Sequence, residues 1–270
     1  MEFYLLLFLA GLAGGMISGL LGVGGGLIYI LILPIAFSYI GIPNQEIAQY
    51  TIANSLLGTF FAASIATVNH IKNKEFYWKA ILIISTAGIL MGLLTLKFVV
   101  NTTFYAQEEF NMVVVLLLFV MLISTLRNAT RQHTFKEKVT KTKRIFALTG
   151  FFSGTVAALS GLGGGIIIIP FLNQIMRFDI RKAKSISLGV ISITSICMVC
   201  YNLFQRPQYD VEIGHTGYIV FQVALPIILG ALTSANFGVK LSRKLSSNSI
   251  SYLFAGFVLI VIIKKLMEFI

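Results

Sequence analysis

The chain has 270 residues, of which 57% are hydrophobic and 11% charged, with a mean hydropathy of +0.88 and a formal net charge of +11. Soluble domains carry about a quarter charged residues, so this profile excludes an ordinary soluble fold. It points to an all-α polytopic membrane protein embedded in a lipid bilayer, with the surplus of Lys and Arg in its loops rather than on a nucleic-acid surface. Cys197 and Cys200 share one apolar block, which offers no disulfide framework and, with no further Cys or His beside them, no metal site. The start, Met1-Glu2-Phe3-Tyr4, lacks the features of a secretory signal and reads as mature structure.

In chain order, apolar blocks of helix length cover 3–21, 27–40, 47–68, 80–100 and 110–126, then 145–160, 166–176, 186–204, 218–239 and 250–263. The longest polar run, 127–144, separates two sets of five and holds seven basic residues against Glu137 alone. The expected organisation is a membrane repeat over 1–126, a basic cytoplasmic linker over 127–144 and a second membrane repeat over 145–270. A span needs about 20 apolar residues. Blocks 27–40 and 166–176 fall short of that and read as half-helices.

The chain matches itself at an offset of 139, with ten identities in the 23 positions that begin at Gly11 and Gly150. Six of the ten are glycines, which favours duplication over shared composition. If each short pair of blocks enters and leaves on one face, 17 basic residues share a side and four lie opposite. That bias obeys the positive-inside rule and makes the halves inverted-topology repeats, each a broken or re-entrant helix pair plus three transmembrane helices. Whether the pairs are re-entrant hairpins or two short crossings stays open. The basic loops would face the cytoplasm and both termini the outside of the cell membrane.

Each short pair is joined by a glycine run, Gly22-Val23-Gly24-Gly25-Gly26 or Gly161-Leu162-Gly163-Gly164-Gly165. Neither has the register of a nucleotide-binding loop. Consecutive glycines break a helix, and irregular backbone at membrane depth is tolerated where it is buried in protein or lines a watery cavity. The break frees the amides of the glycines and of Leu27 and Ile166, at the positive end of a helix dipole, where a small oxyanion can approach closely. The alternative use of such glycines is close helix packing, which suits the spacing of Gly11, Gly15 and Gly19.

The paired glycine runs, the turn Asn69-His70-Ile71-Lys72-Asn73-Lys74-Glu75-Phe76-Tyr77-Trp78 and the stretch Leu225-Pro226-Ile227-Ile228-Leu229-Gly230-Ala231 with Gly238 resemble the TauE/SafE family of sulfite and organosulfonate exporters. Lys182-Ala183-Lys184-Ser185-Ile186-Ser187 is similar to the family's Lys-Ala-x-x-Thr-Ser helix start, with Ile186 in place of Thr. The first half keeps Ala48 and Thr51 but has Ile52 where Ser is usual. The resemblance implies a permease for a small sulfur-containing anion such as sulfite, sulfoacetate or thiosulfate, often an exporter coupled to an ion gradient.

Thr51, Asn54 and Ser187, near the starts of equivalent helices, are the side chains expected beside the glycine loops. Ser55, Thr59, Ser64, Ser192, Thr194, Ser195 and Asn202 suit interhelical hydrogen bonds. His70 titrates near neutrality and is a candidate for proton coupling, or else an interfacial residue of a basic turn. The carboxylates fall at loops and helix ends, so a buried acid relay has no candidate, and the helix interiors show no basic counter-charge. No nucleophile, carboxylate pair or cofactor motif suggests an enzyme. A secondary transporter is the leading reading; a passive anion channel of the same fold is the other.

Overall fold

The computed structural model describes residues 1–73, 75–130, 143–209, 214–245 and 247–267. Among them the apolar blocks form ten α-helices: α1 Glu2–Leu21, α2 Gly26–Tyr39, α3 Ile47–Lys72, α4 Trp78–Thr95, α5 Gln107–Thr130, α6 Lys143–Ser160, α7 Gly165–Pro170, α8 Ile180–Leu203, α9 Phe221–Lys244 and α10 Ser247–Met267. Short π-helical turns extend α4 over Leu96–Val100 and α7 over Phe171–Ile175. Within the described residues, six helices (α1, α3, α4, α5, α8 and α9) are long and apolar enough to cross a membrane, whereas α2 and α7 are shorter. The chain is therefore a polytopic all-α membrane protein. Positions 131–142, most of the expected linker, lie outside the described residues.

One boundary moves in a way that matters later. Asp179 caps α8, accepting a hydrogen bond from the Arg181 N–H at 2.8 Å, so α8 starts at Ile180. Arg181, Lys182 and Lys184, which precede the apolar block 186–204, thus lie on its first turns, in keeping with the helix start that the resemblance implies.

The two centres of the bundle are α3, 72% buried, and α8, 61% buried, against 28% for α5. Around them helices pair across the halves: α1 lies along α9, α4 along α6 and α5 along α10. Glycines make the first two seams. Gly11, Gly15 and Gly19 abut the α9 backbone at Ile227, Ala231 and Ala235, while Gly150 and Gly154 abut α4 at Ile84 and Gly88. Without side chains the backbones approach closely and gain dispersion contacts, which in lipid must replace the hydrophobic drive. Outward faces carry Leu5, Leu9, Leu90, Leu116, Ile123 and Ile260, the exposed hydrocarbon that lipid covers.

Ring contacts show which ends belong together. Phe3 of α1 stacks on Tyr39 of α2 with centroids 5.4 Å apart, so this pair opens at the bundle end where α3 begins. Phe146 of α6 meets Phe178, just before α8, at 6.3 Å. Lys182 lies 4.4 Å over the Phe178 ring and 4.7 Å over that of Tyr77, and Arg243 of α9 reaches the Glu75 carboxylate at 3.2 Å. The α6–α7 pair therefore opens at the other end, beside the turn after α3.

Candidate functional site

Gly22 and Gly161 terminate α1 and α6, their N–H groups donating back to the carbonyls of Ser18 at 2.8 Å and Ala157 at 2.9 Å. The two loops then turn into α2 and α7 and pack on each other. A Cβ added to Gly26 would fall 2.6 Å from the Gly161 carbonyl oxygen, and one added to Gly165 would fall 2.6 Å from Val23 Cα. Gly24 and Gly163 adopt φ of +83° and +79°, a region costly for other residues. A Cβ on either would lie 2.7 Å or 2.8 Å from the same atom, the Thr59 methyl, with the Ile191 methyl as the next side-chain neighbour.

Thr59 stands twelve residues after Ile47 and thirteen before Lys72, and Ile191 eleven after Ile180 and twelve before Leu203. The glycine loops thus meet halfway along the two most buried spans. Serines from those spans hold them there: Ser187 Oγ donates to the Gly22 carbonyl at 2.7 Å and Ser55 Oγ to the Gly161 carbonyl at 2.8 Å.

Among the described residues, no hydrogen bond of the chain reaches the backbone N–H of Gly24, Gly25, Gly26 or Leu27, nor of Gly163, Gly164 or Ile166. All seven residues are buried. Buried amides are almost always paired in native proteins, so seven open donors around one junction are suited to receive acceptors from a ligand.

The side chains expected here are placed differently from one another. Ser187 positions the first loop, with its proton engaged by Gly22. Asn54 clamps the chain ahead of α9: its Nδ2 donates to the Tyr50 and Tyr218 carbonyls and its Oδ1 accepts from the Val220 N–H. Thr51 is fully buried and its hydroxyl has no partner among the described residues, but it lies eight residues before Thr59 on α3. His70 is buried at the end of α3, its Nδ1 3.1 Å from the Glu75 carboxylate that also meets Arg243. Eleven residues of helix put it about 16 Å from Thr59.

Two expectations about charge are corrected. The helix interiors do carry basic groups: Lys184 is 8% exposed with Nζ donating to the Leu20 carbonyl at 2.9 Å, and Lys265 of α10 is fully buried with Nζ 2.9 Å from Asn111 Oδ1. Glu46 does stand at the end of a helix, yet it is only 3% exposed, accepting from the Gln208 N–H at 2.7 Å and the Tyr218 hydroxyl at 3.3 Å. Neighbouring elements cover these groups, which a reading of apolar runs does not register. Ser55, expected to hydrogen-bond between helices, does so to the second glycine loop; extending the repeat from the glycines to α3 and α8, where the offset becomes 132, pairs it with Ser187.

A bundle of apolar helices around a broken, polar-backbone centre suits a membrane transporter. The comparisons agree: the family model described as "Sulfite exporter TauE/SafE" matches residues 7–265, and the chain belongs to that family. A "Probable membrane transporter protein MJ0441" of Methanocaldococcus jannaschii is 29% identical over 245 residues, covering 89% of this chain and 87% of the relative. The "Probable membrane transporter protein YunE" of Bacillus subtilis is 24% identical over 261 residues, 92% of this chain and 91% of the relative. A "Sulfite exporter TauE/SafE family protein 3" of Arabidopsis thaliana is 39% identical over 67 residues, 24% of this chain and 14% of that protein.

Proposed function

We propose that this transporter exports a small sulfur-containing anion, such as sulfite, sulfoacetate or thiosulfate, by alternating access coupled to an ion gradient. One observation carries the reading: two glycine loops with open amides meet midway along α3 and α8, where a bound anion is equally far from both ends. Amides at helix starts stabilise an oxyanion without a full opposing charge, which keeps binding releasable. In this reading the halves 1–126 and 145–270 are inverted repeats that rock about the junction, and the end with Glu75 and Arg243 faces the cytoplasm. The pair of His70 and Glu75 at that end is the candidate carrier of a coupled proton.

The test is flux through purified protein in liposomes, with sulfite, thiosulfate, sulfoacetate, sulfate and chloride offered with and without a pH gradient. Saturable, gradient-driven movement of one sulfur anion is expected. Non-saturating chloride flux indifferent to the gradient would replace the transporter with a channel.

A further inference from the structure

The two glycine loops correspond residue for residue in sequence, but they turn differently at Gly25 (φ −82°) and Gly164 (φ +77°) and differ in the side chains that surround them. Ser187 and Ser55 hold their first glycines in the same way, and three residues before each serine stand Lys184 and Ile52. These occupy matching places: a Cβ on Gly22 would meet Lys184 Cβ at 2.9 Å, and one on Gly161 would meet Ile52 Cα at 3.2 Å. Seven residues after the first glycine stand Tyr29 in one loop's helix and Ile168 in the other's. At both pairs of positions the first loop has the polar group and the second an isoleucine.

Both polar groups are conspicuous on their own. Lys184 Nζ has the Leu20 carbonyl as its hydrogen-bond partner, and no carboxylate pairs with it among the described residues. A buried ammonium without a counter-ion is costly unless something anionic shares its site for part of the working cycle. The Tyr29 ring sits among three glycines, with its hydroxyl 2.6 Å from where a Cβ would stand on Gly14 or Gly25. It is fully buried, and its hydroxyl makes no hydrogen bond among the described residues. Its O–H therefore lies beside Gly25, the residue before α2. The helices differ too, because α2 runs 14 residues behind its loop and α7 only six before its π turn.

We propose that the site is polarised between its two loops: the anionic sulfur–oxygen group is held chiefly from the first, where Lys184 and Tyr29 add side-chain donors to the open amides, and the uncharged part of the substrate lies toward the isoleucines around the second. This rests on the transport reading above and adds to it a polarity within the site. Lys184 supplies the full positive charge and Tyr29 one directed O–H donor. The preferred substrate class is an anion with its charge at one end.

The experiment compares wild type with Lys184→Met, Tyr29→Phe and Lys182→Met in liposomes, reading half-saturation for sulfite and for ethanesulfonate, with thermal unfolding of each purified protein as a measure of folding. Lys182 is a control on the same helix, seated on the rings of Tyr77 and Phe178. Lys184→Met and Tyr29→Phe should fold with unfolding midpoints at or above wild type and raise half-saturation tenfold or more, while Lys182→Met stays within twofold. Folded Lys184→Met and Tyr29→Phe proteins with wild-type half-saturation would overturn the proposal while leaving the transport reading intact. A folded wild type that moves neither probe, nor sulfoacetate or thiosulfate, would overturn the transport reading and the proposal with it.

Discussion

Ser187 of α8 donates a hydrogen bond to the carbonyl of Gly22 across 165 positions of sequence, and Ser55 of α3 makes the same bond to Gly161. Each half of the chain thus fixes the glycine loop of the other. Replacing either serine by alanine leaves a buried carbonyl unpaired, at a cost of about 1–3 kcal/mol. Ser55→Ala and Ser187→Ala should lower the thermal midpoint by similar amounts and slow transport. Because the two loops touch, the double variant should lose a different amount from the sum of the singles, which a double-mutant cycle measures.

Gly24→Val and Gly163→Val meet two obstacles at once. A left-handed backbone costs a residue with a Cβ about 1–2 kcal/mol, and that Cβ would sit within 2.8 Å of the Thr59 methyl. Both variants are expected to reach the membrane yet lose transport, as quantitative blotting of membranes beside flux would register. Near-normal flux in either one would remove the loops from the binding site.

A large residue on the peripheral seam should act on assembly rather than on the site. Gly154 packs on the Gly88 backbone with no room for a side chain. Gly154→Leu should therefore separate α4 from α6 and leave little folded protein to extract in mild detergent. If the variant purifies in normal yield, the seam is less rigid than its geometry implies.

Glu46 gathers the chain ahead of α9 onto the start of α3, taking bonds from the Gln208 and Tyr209 N–H groups and the Tyr218 hydroxyl. Glu46→Ala strands those donors, and each unpaired donor costs about 1–3 kcal/mol. Glu46→Gln keeps an acceptor oxygen in place. The alanine variant should unfold several degrees lower and the glutamine variant fall between it and wild type; equal midpoints for all three would show that water already serves these groups.

The membrane class, the helices and the two short segments were legible because hydrocarbon thickness sets a length that apolar runs either reach or miss. The glycine loops were legible for the same reason, since three glycines in a row beside a short helix violate that requirement openly. The partners of those loops were not. Ser55 and Ser187 differ from other serines in apolar helices only by what lies opposite them, and that depends on how α3 crosses α8. The burial of Lys184 was not legible, because a lysine near a helix start looks exposed until its stem is seen covered by the glycine loop it packs on. Tyr29 was hidden as one aromatic in an apolar run; the missing partner of its hydroxyl is visible only in three dimensions.

The junction at Thr59 and Ile191 also reverses the usual relation between size and constraint. In most proteins the positions least open to change are occupied by large side chains whose volume must be matched. Here they are occupied by hydrogen atoms, and each glycine loop is moulded against the bare backbone of the other. Neither loop can take on bulk without displacing the other, so the differences between them fall on the residues around the loops, where Lys184 corresponds to Ile52 and Tyr29 to Ile168.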